Sequence, residues 1–78
     1  IQYPEMAKEN GIQGKVFVQF VVWKDGTIKD VKVVKGVHKT LDSEAQRVVK
    51  SMPKWTPGKQ RGTAVNARFT LPIKFRIS

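Results

Sequence analysis

The sequence predicts an α+β domain: a three-stranded antiparallel-type sheet in the order 2-1-3, two helices packed on one face, and the chain order α-β-β-α-β. Three observations predict it. Residues 15–23 alternate strictly and run into Asp25-Gly26, residues 41–52 carry an apolar stripe at helical spacing, and residues 65–76 alternate again to the end of the chain. At 78 residues one core is all the chain can build, and residues 1–78 read as a single domain.

A short first helix is expected where Pro4 suits a first turn, Glu5 favours the positive end and Asn10-Gly11 provides a stop. Tyr3 and Met6 read as packing residues. In the first strand Val16, Val18, Phe20 and Val22 form one face, and Lys15, Phe17, Gln19, Val21 and Trp23 the other. That second face is too apolar for full solvation and is expected to be partly covered or to make contacts, with covering preferred.

Residues 24–27 form a hairpin turn, because Asp-Gly tolerates the backbone angles of tight antiparallel connections. The strand that returns over residues 28–35 has Ile28 out of phase with Val31 and Val33, which predicts a bulge near Lys29 or Asp30. Leu41, Ala45, Val48, Val49 and Met52 define the second helix, with Thr40 as its N-cap and Pro53 as its stop. Residues 54–62 read as a loop with a type II turn at 56–59, and Trp55 as a plug at one end of the core.

In the last strand Pro72 has no N–H to give a ladder, so the strand belongs at an edge, with Pro72 facing outward. Alternate residues of an antiparallel strand present both backbone groups to the same side. Asn66, Arg68, Thr70 and Lys74 are therefore expected to share the open flank with Pro72. Such an edge is either guarded against pairing or used for β-augmentation, and the pattern leaves both open.

Chemistry is not supported. The one histidine, His38, lies in a polar stretch and reads as a solvated loop residue, and there is no cysteine, metal-ligand spacing or Gly-rich phosphate loop. Asp25, Asp30, Asp42 and Glu44 have turn and helix-dipole roles. No catalytic, cofactor or metal residue is assigned, and the domain is expected not to be an enzyme.

Charge is the compositional oddity: fifteen Lys and Arg against six Asp and Glu give a formal net charge of +9, with no acid after Glu44. Such a surface attracts anionic partners, among them nucleic acid, lipid headgroups, a wall polymer or an acidic protein face. No apolar run is long enough to span a bilayer, and the lack of an initiator methionine suggests an excised fragment, any anchor of whose parent would lie upstream.

Tyr3-Pro4, Gly11 and Gly14 before an alternating strand, Asp25-Gly26, Leu41-Asp42 with Glu44-Ala45, residues 52–58 (Met-Pro-Lys-Trp-Thr-Pro-Gly) and Pro72-Ile73-Lys74-Phe75 occur together in order. This pattern resembles the C-terminal domain of the TonB energy transducers along essentially the whole chain. The resemblance implies a periplasmic domain of an inner-membrane-anchored protein, coupled to ExbB and ExbD through a missing N-terminal part. Its partners would be TonB-dependent outer-membrane receptors, whose TonB box adds as a strand to the last β-strand so that force derived from the proton motive force drives uptake of siderophores or other nutrients. The contacts it implies are Asn66, Arg68, Thr70, Leu71 and Lys74, with Gln2 and Tyr3 as a second region, and pairing is expected to centre on Arg68 and Thr70 and stop at Pro72. Some members carry an arginine two residues after the proline, where this chain has Met6, so that contact is not carried over. The alternatives are a basic module for nucleic acid or wall glycan, and an envelope adaptor similar to the TolA C-terminal domain; with the TonB-like role, no nucleic acid is expected. The same free edge could also pair two copies in a homodimer.

Overall fold

The computed structural model describes residues 2–77. Its elements are α1 (Glu5–Glu9), β1 (Gly14–Val22), β2 (Ile28–Lys35), α2 (Lys39–Lys50), β3 (Gly58–Gln60), β4 (Thr63–Val65) and β5 (Ala67–Phe75). The main sheet has the order β2-β1-β5, antiparallel at both junctions, so β2 and β5 run parallel on either side of β1. This is the 2-1-3 arrangement expected from a hairpin followed by a helical crossover. No helix among the described residues is long and apolar enough to cross a membrane.

The core lies between the sheet and the two helices. Val16, Val18, Phe20 and Val22 of β1 and Leu41, Ala45 and Val49 of α2 are fully buried, joined by Ala7, Ile73 and Phe75. Each of the buried Val, Leu, Ile and Phe side chains contributes about 1.5–3 kcal/mol on leaving water, which is how one layer sustains so small a domain. Tyr3 packs edge-on against Phe75 with centroids 5.7 Å apart, and its hydroxyl donates to the Ile12 carbonyl. Met6, by contrast, is 53% exposed and does not pack as expected.

α1 ends in a Schellman motif. The Gly11 N–H donates to the Lys8 carbonyl and the Ile12 N–H to the Ala7 carbonyl, with Gly11 at φ +66. α2 starts two residues earlier than its apolar stripe suggests and ends at Lys50. Its N-cap is His38, not Thr40: His38 Nδ1 accepts the Thr40 N–H at 3.3 Å and lies 2.9 Å from the Thr40 hydroxyl. A half-buried capping histidine replaces the solvated loop residue read from the sequence. Asp42 turns back to accept the Val37 N–H at 3.0 Å, so it secures the loop before the helix as well as favouring the dipole.

The β1–β2 hairpin is a type I turn closed by Gly26 in the left-handed region. The Gly26 N–H donates to the Trp23 carbonyl, the Trp23 N–H to the Thr27 carbonyl, and Asp25 Oδ1 accepts the Thr27 N–H at 2.9 Å. β2 bulges as expected at Asp30, whose φ is 55, and a second register shift falls between Val33 and Lys35.

Residues 54–62 are not a simple loop, and the type II turn is absent because Gly58 has no positive φ and begins β3. β3 and β4 instead make a small hairpin whose two-residue loop, Arg61-Gly62, has φ 54 and 79, the signature of a type I′ turn. The long final strand is consequently split at Asn66, with Val65 paired to Gly58. Nor, among the described residues, is the second face of β1 covered by any element. Lys29 Nζ lies 4.3 Å from the Trp23 ring centroid and Lys35 Nζ 5.9 Å from that of Phe17, so lysine stems shield the rings.

Gly26 also receives the Trp55 segment: the Trp55 N–H donates to the Gly26 carbonyl at 3.0 Å, and a Cβ on Gly26 would stand 2.7 Å from the Trp55 carbonyl oxygen. Gly26→Ala is expected to destabilise the domain by about 1–3 kcal/mol, through the strained φ and this backbone clash. Urea denaturation measures the shift.

Candidate functional site

The backbone of β5 has one side paired and one side free. Trp23 directs both its N–H and its carbonyl toward the hairpin loop, which fixes the parity of β1: odd residues face β2 and even residues face β5. The β1–β5 register runs without interruption from Gly14↔Phe75 to Val22↔Ala67. Val16, Val18, Phe20 and Val22 therefore exchange ladder bonds with Ile73, Leu71, Phe69 and Ala67. Arg68, Thr70 and Lys74 point their N–H and carbonyl groups away from the sheet, and Pro72, opposite Phe17, points only a carbonyl there. At about 3.3 Å per residue the stretch 68–74 offers roughly 20 Å of regular edge.

The other edge of the sheet is different. β2 carries both bulges, and a bulged strand cannot present an evenly spaced row of donors and acceptors. Among the described residues, β5 alone offers a long regular edge of the main sheet.

The side chains along this edge alternate between two environments. Arg68, Thr70 and Lys74 are exposed on the face away from the helices. On the helix side Leu71 is half-buried and Phe69 is 37% exposed, although Phe69 stacks on Phe20 at 6.1 Å and meets Trp55 at 5.4 Å. Trp55 in turn packs edge-on against Phe20 at 5.1 Å, closing this end of the core as expected of a plug. Phe69 is the residue that sequence reasoning passed over. Its place in the alternation marked it as core, and only the thinness of cover at a sheet edge leaves it accessible.

Asn66 does not lie in β5. It joins β4 to β5, and its Oδ1 accepts the Lys24 N–H at 2.8 Å, which ties the start of the edge strand to the β1–β2 hairpin. Gln2 and Tyr3 sit elsewhere, beside α2 and the end of β5. The Gln2 N–H donates to Glu44 Oε2 at 2.8 Å, and Tyr3 is held by Phe75 and Ile12. Arg68, Thr70, Leu71 and Lys74 thus share one strand, whereas Gln2 and Tyr3 line a separate shallow groove with Pro4, Thr40 and Arg47.

Electrostatics set the helix side apart from the edge. Arg47 grips Glu44 with two bonds of 2.7 Å, and this, with the Gln2 N–H, holds the Glu44 carboxyl down at about 2 against a desolvation that opposes it. Asp25 is also lowered, by its bonds from Thr27. Among the described residues no three His, Cys, Asp or Glu side chains gather as a metal site.

This α+β fold, with its sheet order and two helices, is the architecture of solved TonB C-terminal domains. Residues 1–77 match the family described as Gram-negative bacterial TonB protein C-terminal, and the chain belongs to that family. It is 35% identical over 78 residues to the TonB protein of Pseudomonas aeruginosa, covering 96% of this chain and 22% of that protein. With the TonB protein of Helicobacter pylori strain J99 it shares 41% identity over 51 residues, 64% of this chain and 18% of the relative. The chain thus spans about a fifth of the length of these relatives. Two solution structures of the Helicobacter pylori TonB C-terminal domain superimpose with TM-scores of 0.76 and 0.68, at 30% and 32% identity. They cover 99% and 96% of this chain, and 69% and 78% of their own chains.

A carboxyl depressed in the folded state stabilises the fold above its ordinary value of 4.5, and that contribution is lost as pH falls toward about 2. The urea midpoint of the parent is expected to fall through that window, and Glu44→Gln to flatten the fall while lowering the midpoint at neutral pH. A Glu44→Gln variant whose acid-side decline matches the parent's counts against the Arg47–Glu44–Gln2 cluster as its source.

Proposed function

We propose that this domain captures the TonB box of an outer-membrane receptor as an added strand on β5, and that it transmits proton-motive-force-derived force for nutrient uptake. In this reading it is a non-catalytic periplasmic domain of an inner-membrane-anchored protein, joined to ExbB and ExbD by parts outside this chain. Membership of the TonB C-terminal family supports the reading. The observation that carries it is the asymmetry of the two sheet edges: β2 is bulged twice, whereas β5 keeps an unbroken register and a regular outer flank.

Strand addition would use main-chain bonds from Arg68, Thr70 and Lys74 for affinity, and side chains for selection. A guest residue on the helix side would meet Phe69 and Leu71. One on the opposite side would meet Arg68, Thr70 or Lys74, so the preferred guest alternates apolar residues with polar or acidic ones. A guest pulled along its length loads these bonds together, and β1 supports β5 from behind through nine paired residues.

Thr70→Pro tests the edge cleanly. Thr70 lies opposite Gln19 at a position where its N–H faces outward, so proline there removes a donor from the free flank without costing a β1–β5 bond. Titration with N-terminal receptor peptides, followed by amide shifts and hydrogen exchange, is expected to show protection at Arg68 and Thr70. Thr70→Pro is expected to weaken binding about tenfold, the equivalent of one or two hydrogen bonds of about 1 kcal/mol each. A folded Thr70→Pro variant that binds as well as the parent, or protection confined to β2, overturns edge pairing.

A further inference from the structure

Among the described residues no element covers the sheet face opposite the helices, and the pairing register determines what lies on it. Across the strands the rows read Lys35–Phe17–Pro72, Lys32–Gln19–Thr70 and Lys29–Val21–Arg68, followed by Lys15 opposite Lys74. An apolar and aromatic central line, continued by Trp23, is thus flanked by cations. Five of the six acids lie off the sheet: Glu5 and Glu9 are on α1, Asp42 and Glu44 on α2, and Asp25 in the hairpin turn; the sixth, Asp30, sits in the β2 bulge between Lys29 and Lys32, outside the paired rows. Among the described residues the ion pair found is Arg47–Glu44, so none of the six cations on this face is matched by a carboxylate within 4.0 Å.

Packing accounts for the Lys29 and Lys35 stems over Trp23 and Phe17, but not for the rest of this pattern. Placing Lys15 directly opposite Lys74 is unfavourable, since like charges facing one another across a strand pair repel. The half-exposed Phe17, Val21 and Trp23 add nothing to the buried core on the helix side. Both features become favourable against a flat anionic surface that takes the rings at its polar boundary and the lysine heads among its charges.

We propose that the helix-free face docks on an anionic lipid bilayer, with Trp23 and Phe17 at the headgroup boundary and Lys29, Lys32 and Lys35 among the lipid phosphates. Amphipathic rings and long cationic side chains that reach past them are the residue types that settle at this interface. The face is about 30 Å long, and among the described residues no helix or loop stands over it to form the walls that would clamp a single polymer chain. Docked this way, the outer flank of β5 lies in the plane of the membrane and stays open. The inference is independent of peptide capture.

Sedimentation with vesicles of phosphatidylglycerol and phosphatidylcholine, and with phosphatidylcholine alone, tests it. Two variants with equal loss of charge separate a docking face from general attraction: Lys29→Gln/Lys32→Gln/Lys35→Gln on the face, and Lys8→Gln/Lys39→Gln/Lys50→Gln on the helices. Binding is expected only to the anionic vesicles, about a hundredfold weaker for the face variant, at about 1 kcal/mol for each lysine removed, and within about twofold of the parent for the helix variant. Nitroxide-labelled lipid is expected to quench the parent's fluorescence through Trp23, and not that of Trp23→Phe, which retains Trp55. Equal losses in the two triple variants, or unchanged quenching in Trp23→Phe, overturn the proposal. So does tight binding of soluble polyglutamate without binding of anionic vesicles, which would assign the face to an acidic polypeptide.

Discussion

The unbroken nine-residue register between β1 and β5 is the constraint on which the other features rest. It seats Ile73 and Phe75 over the helices and puts Pro72 opposite Phe17 at a pair that needs no donor from it. It also aims the remaining backbone groups of β5 outward. Shifting this register by one residue would turn Arg68 and Lys74 into the core and Ile73 out of it, so the buried face itself holds the edge in place. The accessible flank is therefore a by-product of the same packing that gives the domain its stability.

The hairpin loop at Gly26 is the second anchor. It carries the backbone bond to Trp55, and Trp55 supports Phe20 and Phe69, so the turn, the aromatic cluster and the start of the edge strand brace one another. Asn66 adds a link from the same end of the edge to Lys24. Charge is largely sorted by face around this frame: the helices hold four of the acids, and the paired rows of the bare sheet face hold six cations, with Asp30 in the β2 bulge as the one acid of the strands.

Much of this was legible where the signal is local. Alternation in β1, the Asp25-Gly26 turn and the bulge at Asp30 follow from side-chain period and backbone freedom within a few residues. Pro72 identified the edge because a missing N–H restricts where a strand can sit. The β3–β4 hairpin was hidden because Gly58–Gln60 has three residues and no apolar alternation, while Pro57-Gly58 imitates a different turn. His38 was missed as a cap because histidine is not among the usual N-cap residues, and its role depends on where Thr40 falls in space. The apolar second face of β1 suggested a cover that does not exist, since lysine stems on a neighbouring strand shield rings in a way no single strand's pattern reveals. Asn66 continued the alternation of the last strand, and only the tertiary partner Lys24 shows it to be a joint.

Pro72 and its neighbours also bear on how the protein behaves in concentrated solution. If two molecules stacked edge to edge in parallel register, Arg68 would meet Arg68 and Lys74 would meet Lys74. In the antiparallel arrangement centred on Leu71, Arg68 would face Lys74, and Thr70 would meet a proline with no amide to share. Either geometry brings cation against cation, on a molecule whose formal charge is already +9. A sheet margin can in this way remain exposed for long periods without seeding fibrils, because it discriminates against its own sequence more strongly than against a neutral or acidic one.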